Sequence, residues 1–488
     1  MIKNLNTGII FKILGYGIVA IGILMLITLP VAFFYKENTI SDILLSFLIC
    51  LSVGGGLLLL TRKVEIKDIE NKEVFAIVTL TWFVLGFFGA IPFLISNAIP
   101  NFTNAYFEAI SGFTTTGATI LTDIESLPKS ILLWRSFIQW LGGIGILVLV
   151  IAVLSIMGIG DLKIFVAEVS GPKSTKFHPK IKNTARRLWL IYAGMTTIVI
   201  ILLLLGGKNL YESICHALTT VATGGFSPKN SSIADYSTYN QIVIIVFMFL
   251  GAVNFALYFS LLKGNFKSFF KNEELIAFFI FVVVIALFIA GEIYYYGVFS
   301  TVGESLKHAF FQVVSIVTTT GFGTADYNNW PAMTQVIMLF LCFTGGMIGS
   351  TAGGVKFTRL LVLIKNIRYE IKRIVHPNAV YLLKVNKIPI RKDVVRNFFT
   401  VFVVWIFFIC LGTIILSFFV SNLREAMGVT AATLGAVGPA FGEFGPVGSY
   451  AELHDIGKWT CIFLMVIGRL EIISVLAFVY VLFGGKGK

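Results

Sequence analysis

The sequence predicts an all-α polytopic membrane protein: four fused helix–pore-helix–helix repeats around a central pore, preceded by an extra N-terminal helix pair, ten transmembrane helices in all. Three observations predict it. Of 488 residues, 57% are hydrophobic and 13% charged, about half the charged fraction of a soluble domain, and the mean hydropathy is +0.89. Ten apolar runs approach or exceed the ~20 residues a helix needs to cross about 30 Å of hydrocarbon. Four shorter stretches between them each lead into a glycine-rich turn. The composition excludes a water-soluble fold, and with 46 Gly in no three-residue period and 12 Pro it also excludes disorder and collagen-like repeats.

The apolar runs lie near 9–34, 40–60, 74–98, 131–158, 188–206, 241–262, 275–296, 333–349, 398–420 and 459–483. No small-residue cleavage site follows the first, so it reads as a retained helix rather than a signal peptide. An even number of crossings puts both termini on one side, and the loops say which. Segment 159–187 carries seven Lys/Arg against Asp161 and Glu168, and segment 356–396 carries eleven against Glu370 and Asp393. Segments 98–129, 207–240, 292–335 and 421–458 together carry six Lys/Arg against twelve acids. The positive-inside bias makes the basic loops and both termini cytoplasmic and accounts for the net charge of +13 without a nucleic-acid partner. Cys50, Cys215, Cys342, Cys410 and Cys461 stand singly in or near apolar runs, with no C-x-x-C pair, and read as packing residues.

The acidic-side segments open with stretches too short to cross, at about 103–116, 209–222, 304–319 and 424–436. Between two full spans, 10–14 residues read as a re-entrant half-helix. Each leads into a turn: Thr114-Thr115-Thr116-Gly117-Ala118, Ala222-Thr223-Gly224-Gly225-Phe226, Thr318-Thr319-Thr320-Gly321-Phe322-Gly323 and Ala436-Val437-Gly438-Pro439-Ala440. Taking Gly117, Gly224, Gly321 and Gly438 as equivalent gives spacings of 107, 97 and 117 residues, an internal repeat of irregular length. The chain divides accordingly into an N-terminal pair (1–70) and repeats at 71–160, 161–270, 271–385 and 386–488. The second turn offers Gly224 and Gly225 for one position, and the sequence leaves that choice open.

Non-helical backbone at membrane depth survives only where it lines water or is buried in protein. Glycine reaches φ > 0 without steric cost, so successive carbonyls can face one way. Four such turns about one axis would replace the hydration shell of a monovalent cation with carbonyl oxygens. The negative ends of the half-helices would point at the same place, and the neighbouring Thr hydroxyls would add oxygens or buttress the turn.

Two further features stand out. The apolar stretch 333–374 is too long for one span, and Thr344–Gly354 places Gly345, Gly346, Gly349, Gly353 and Gly354 with Ser350 and Thr351 in eleven residues. Each glycine in a helix interior costs roughly 0.5–1 kcal/mol relative to Ala, so the helix is expected to break there. Arg469 lies inside the last apolar run, where a guanidinium is a functional hypothesis. The competing reading is a structural pair with Glu471 or another acid. His216 and His308 read as packing or hydrogen-bonding residues. No His/Cys/carboxylate cluster has metal-ligand spacing, and no P-loop or Rossmann unit is present, so the chain does not read as an enzyme or a nucleotide binder.

The turns T-T-T-G-A, A-T-G-G-F, T-T-T-G-F-G and V-G-P-A-F-G, the segment G-G-M-I-G-S-T-A-G-G-V-K and a late G-R-L-E together resemble the Trk/Ktr/HKT superfamily of potassium transporters, and within it the bacterial TrkH-like branch. The extra pair at 9–60 is similar to that branch rather than to Ktr subunits. The resemblance implies a K⁺ filter at Thr115, Thr116, Gly117, Thr223, Gly224, Thr320, Gly321, Val437 and Gly438. It implies that 345–354 is an intramembrane gating loop and that Arg469 is a cation barrier near the pore. Gly117 stands where sodium-preferring plant relatives carry Ser, which implies K⁺ permeation with no organic cofactor in this chain. It further implies a multi-pass protein of the bacterial cytoplasmic (inner) membrane, a homodimer, and a cytoplasmic TrkA-like nucleotide-binding ring as partner. A secondary transporter coupling K⁺ to H⁺ or Na⁺ is the alternative, disfavoured because Glu471 is the main deep acid available to a relay.

Overall fold

The computed structural model describes residues 5–66, 69–156, 178–377 and 382–482. The expected boundary at 160/161 and most of the basic segment 159–187 lie outside the described residues. The N-terminal pair is α1 (Thr7–Met25), which passes through a 3-10 turn into α2 (Leu29–Phe34), and α3 (Ile40–Leu60). Small residues let them close: an added Cβ on Gly22 would lie 2.6 Å from the Cβ of Cys50.

The unit span, half-helix, turn, span then occurs four times. It comprises α4 (Asn71–Ile95), α5 (Phe102–Phe113) and α6 (Lys129–Ile156); then α7 (His178–Leu205), α8 (Leu210–Val221), and α9 (Thr238–Gly251) with α10 (Phe255–Leu262), followed by the short α11 (Phe266–Phe270). The third unit is α12 (Glu273–Tyr295), α13 (Val302–Val317), α14 (Ala332–Thr344) and α15 (Phe357–Val375). The fourth is α16 (Lys392–Leu416), α17 (Leu423–Leu434), and α18 (Asp455–Arg469) with α19 (Ile473–Leu482). One small addition to an all-α fold is the hairpin of β1 (Lys384–Val385) and β2 (Ile388–Pro389). Its turn residues Asn386 and Lys387 have φ of 51° and 65°, the left-handed pair a two-residue hairpin requires.

Every half-helix begins the same way. Asn101, Asn209, Thr301 and Asn422 accept at the side chain from the backbone N–H of the third residue on, satisfying a donor the first turn leaves orphaned. Three of the four place Glu there (Glu212, Glu304, Glu425), where a negative charge also suits the helix dipole.

Among the described residues, seven helices are long and apolar enough to span a membrane, and two more runs qualify only as bent pairs. The runs 241–262 and 459–483, expected to be continuous, are in fact broken, by 98° between α9 and α10 and by 110° between α18 and α19. At the first break Asn254 caps α10 through Ala256 N–H; at the second Glu471 and Ile472 take φ of 58° and 43°. Asn254 is the single polar residue at the first break, and at the second Arg469 and Glu471 stand in a run that stays apolar on both sides, so periodicity did not reveal either bend. The run 333–349 is likewise shorter than a full span: α14 has 13 residues and stops at Gly345, φ 72°. Two large apolar cores result, with two small satellite clusters beside them. One large core joins the second and third units, and the other joins the N-terminal pair to the first and fourth.

Candidate functional site

The half-helices end in one repeated motif. Thr115, Thr223, Thr319 and Ala436 are left-handed, with φ of 52°, 52°, 57° and 56°. Each donates its N–H three residues back, and the next residue donates five back: Thr116 to Ser111, Gly224 to Thr219, Thr320 to Ser315 and Val437 to Ala432, at 2.8–2.9 Å. These are Schellman ends, unusual in placing a side chain where glycine is the usual choice, at about 1–2 kcal/mol per residue.

Two residues further on comes a left-handed glycine in all four: Gly117, Gly225, Gly321 and Gly438, with φ of 81°, 79°, 85° and 94°. The second-turn equivalent is therefore Gly225, a correction to the register that paired Gly224 with Gly117. Gly224 aligns instead with Thr116, Thr320 and Val437. An added Cβ on Gly117 would meet the carbonyl oxygen of Gly224 at 2.2 Å, on Gly225 that of Thr320 at 1.9 Å, on Gly321 that of Val437 at 2.1 Å, and on Gly438 that of Thr116 at 2.5 Å. Each turn touches the next in chain order and the fourth returns to the first. The four turns thus close a ring.

Polar groups behind the ring hold it. Six residues before the end-cap position stand Glu108, His216 and Gln312, all buried. Glu108 accepts from Thr119 Oγ1 (2.9 Å) and Ile120 N–H (3.0 Å). His216 Nε2 lies 3.0 Å from Ser227 Oγ, and Gln312 donates to Ala325 O at 2.7 Å. Val429 is the apolar fourth member. Arg135 on α6 pairs with Glu108 at 2.6 Å and donates to Ser227 O at 2.9 Å, its guanidinium 3.6 Å from the centre of the Phe226 ring. In the first and third turns hydroxyl pairs brace the loop, Thr114 with Thr116 and Thr318 with Thr320, both at 2.8 Å. His308 Nδ1 contacts Thr324 Oγ1 at 3.1 Å, and no group of three or more metal-ligating side chains exists among the described residues.

The third inner helix breaks directly beneath this ring. Residues 345–356 connect α14 to α15 as a buried loop. The loop bonds to the break in the second unit: Met347 N–H to Ala252 O (2.9 Å), Thr351 N–H to Gly251 O (3.2 Å), and Phe255 N–H to Gly349 O (2.9 Å). Upward, Gly353 N–H donates to Thr319 Oγ1 at 2.6 Å, and Thr223 Oγ1 lies 3.2 Å from Thr351 Oγ1, which reaches Val221 O at 3.1 Å. An added Cβ on Gly346 would sit 2.7 Å from Ala252 O, and on Gly353 2.5 Å from Gly435 O. Gly345, Gly349 and Gly354 have φ of 72°, 80° and 71°, and Ser350 bonds within the loop to Met347 O.

Arg469, 2% exposed, donates to Thr351 O at 2.7 Å and Gly142 O at 3.3 Å, so it touches the loop and the first inner helix together. It does not pair with Glu471. That carboxylate pairs with Arg359, which also donates to Val355 O, while Lys356 donates to Ala352 O. The structure thus brings together the candidate filter, loop and barrier residues: Thr115, Thr116, Gly117, Thr223, Gly224, Thr320, Gly321, Val437 and Gly438 in the ring, then the loop, then Arg469. Sequence reasoning missed Gln139 and the Glu108–Arg135 pair. The signal available was a buried-length polar trio, Arg135, Ser136 and Gln139, inside an apolar run.

The family described as "TrkH: Cation transport protein" matches residues 39–484. The chain is 37% identical over 486 residues to the "Trk system potassium uptake protein TrkH" of Escherichia coli K12, covering 96% of this chain and 97% of that protein. It is 33% identical over 465 residues to that organism's "Trk system potassium uptake protein TrkG", covering 94% of each. The structure described as "Crystal Structure of the Potassium Transporter TrkH from Vibrio parahaemolyticus" superposes with a TM-score of 0.88 at 33% identity, over 97% of this chain and 98% of that one. Family match, near-full-length relatives and fold agree: this chain is a multi-pass membrane protein that belongs to the TrkH family of cation transport proteins.

Proposed function

We infer that this chain takes up K⁺ across the cytoplasmic membrane through a gated, channel-like pore, with K⁺ as its cargo. The observation that carries this reading is the closed ring of four turns. A ring of the Thr116, Gly224, Thr320 and Val437 carbonyls, with the left-handed glycines between them, supplies oxygens for a dehydrated monovalent cation. Four half-helix C-termini add partial negative charge beneath it. Thr115 Oγ1 is buried with no protein partner, a hydroxyl free to face an ion. Arg469 then acts as the cation barrier, and 345–354 as the gate that must leave its bonds to Thr223, Thr319 and Gly251 before ions pass. Substituting Gly321 by Ser is expected to change the K⁺/Na⁺ permeability ratio in liposome flux measurements, and an unchanged ratio in folded protein refutes the filter assignment.

Coupled transport needs a titrating relay. Buried Glu108 is already paired with Arg135, Glu471, its side chain 17% exposed, is paired with Arg359, and Glu274 bonds Thr358, which supports a pore over a symporter. K⁺ flux that follows an imposed pH gradient at fixed membrane potential would reverse that choice. The basic face of α15, with Lys365, Arg368 and Arg373, suits docking of a cytoplasmic TrkA-like ring. A homodimer with both termini cytoplasmic is the assembly we propose.

A further inference from the structure

The four seams of the ring are not equivalent. On the inner helices, Gly142, Gly251 and Gly468 pack against the half-helix ends, their added Cβ atoms meeting Phe113 O at 1.8 Å, Val221 O at 3.2 Å and Leu434 O at 1.9 Å. Counting three residues back from each gives Gln139, Met248 and Met465; seven back gives Arg135, Ile244 and Cys461. All six are buried, Gln139, Met248 and Met465 at 1% exposure or less. Polar side chains thus stand at these two positions on the helix between the first and second turns, and apolar ones at their counterparts.

Gln139 spans the left-handed glycine of the second turn. Its Nε2 donates to Gly224 O at 2.6 Å, and its Oε1 accepts from Phe226 N–H at 3.0 Å. An added Cβ on Gly224 would lie 2.5 Å from its Cδ and Oε1. This explains the doubled glycine. Gly225 is required by φ, and Gly224 is required because Gln139 fills the space that Thr116 and Thr320 use for their side chains. The Glu108–Arg135 pair continues the same contact, since Glu108 holds Ile120 beyond the first turn and Arg135 holds Ser227 beyond the second.

We propose that Gln139 is a selectivity-determining positioning residue of the pore, fixing where the Gly224 carbonyl stands in the ring, with Glu108–Arg135 holding the outer ends of the same two turns. The inference rests on reading the turns as the filter. A bidentate amide fixes both the distance and the orientation of a carbonyl, which packing by Met does not. A ring in which one oxygen is fixed in this way keeps the spacing that suits K⁺ over the smaller Na⁺ when the other three carbonyls move.

The test is Gln139→Met, which installs the residue found at the equivalent place on two other inner helices and leaves both buried charges in place. In full-length protein reconstituted in liposomes, the K⁺/Na⁺ permeability ratio is expected to fall at least fivefold while total monovalent-cation flux is kept. Met248→Leu, the same position in a seam without the amide, is expected to leave the ratio within twofold. Gly321→Ser, on the far side of the ring, separates the two ideas: if it shifts the ratio and Gln139→Met does not, the filter stands and the role of Gln139 falls. If neither shifts the ratio, the filter reading itself falls. Should Gln139→Met not yield monodisperse protein, Glu108→Gln decides in its place, with a smaller fall in the same direction expected. A ratio within twofold of the parent there, or failure of both variants to fold, assigns the cluster a purely structural role.

Discussion

In the four turns the backbone repeats one pattern: a left-handed residue, a ring carbonyl, a left-handed glycine. In the layer directly beneath, α6 runs unbroken while the other three inner helices break in three different ways. The second break is an Asn-capped corner, the third a twelve-residue loop, and the fourth a pair of left-handed residues at Glu471 and Ile472. The difference teaches where symmetry is demanded. On the proposed reading, the carbonyl oxygens offered to one ion come from equivalent backbone, whereas obstructing and releasing a path needs one element able to move against three that stay.

The ring is the place to break first. Gly225→Ala forces an L side chain into φ 79° with its Cβ 1.9 Å from Thr320 O, a clash with backbone that no rotamer relieves. Left-handed strain of about 1–2 kcal/mol and overpacking of about 1–3 kcal/mol act together, so K⁺-selective flux is expected to be lost. At Gly224→Ala the three atoms nearest the new Cβ all belong to the Gln139 side chain, so Gln139→Ala is expected to restore its folded yield in size-exclusion chromatography. Equal rescue of Gly225→Ala by the same change would show that the two glycines are not distinct in the way their geometry implies.

The layer beneath is tested by release. Deleting within 345–353 is expected to raise K⁺ flux with no partner present, and flux at the closed level would remove the loop as the obstruction. Arg469→Ala takes away the donor to Thr351 O and Gly142 O. A charge-assisted bond contributes roughly 1.5–3 kcal/mol, so the closed state should weaken by about tenfold or more in single-channel open probability. An effect confined to expression would make Arg469 a packing residue.

Hydroxyls joining the two layers carry less. Thr319→Val leaves Gly353 N–H without its acceptor, at about 1–3 kcal/mol, and a several-fold rise in open probability is expected. Thr115→Val, at the equivalent site where the hydroxyl meets no protein group, should leave open probability unchanged. If the two act alike, the link between loop and ring is not the hydrogen bond.

Much of this was legible in the chain. The half-helices at 102–113, 210–221, 302–317 and 423–434 fall within three residues of their expected bounds at both ends, because short amphipathic stretches between spans have few other readings. The glycine cluster at 345–354 announced its own break. The choice between Gly224 and Gly225 was not legible, since it turns on φ and on a glutamine 85 residues earlier. Nor were the bends at 252–254 and 470–472. Residues there are apolar or singly polar, and only the partners that take their freed backbone groups distinguish a corner from a continuous helix.

The smallest effect is expected on the acidic face of the molecule, where Lys229 bridges Glu125 at 3.1 Å and Glu212 at 3.6 Å and so ties the segment after the first turn to that after the second. The bridge spans the same seam as Gln139 but lies in the open: Lys229 is 35% exposed and Glu125 45%. Water and salt screen such a pair, and exposed ion pairs contribute about 0–1 kcal/mol. Asn230 donates to Asp123 there and holds its carboxyl below the ordinary carboxylate range. That stabilisation is present above the ordinary carboxylate pKa and is lost only as pH falls through the lower value of the folded state, so it is constant at neutral pH. Lys229→Gln is therefore expected to lower the melting temperature by no more than a few degrees, less at high salt, with the K⁺/Na⁺ ratio unchanged. A shift in that ratio as large as the one expected from Gln139→Met would mean that the seam is held from the surface inward, and the comparison between exposed and buried bracing would have to be reversed.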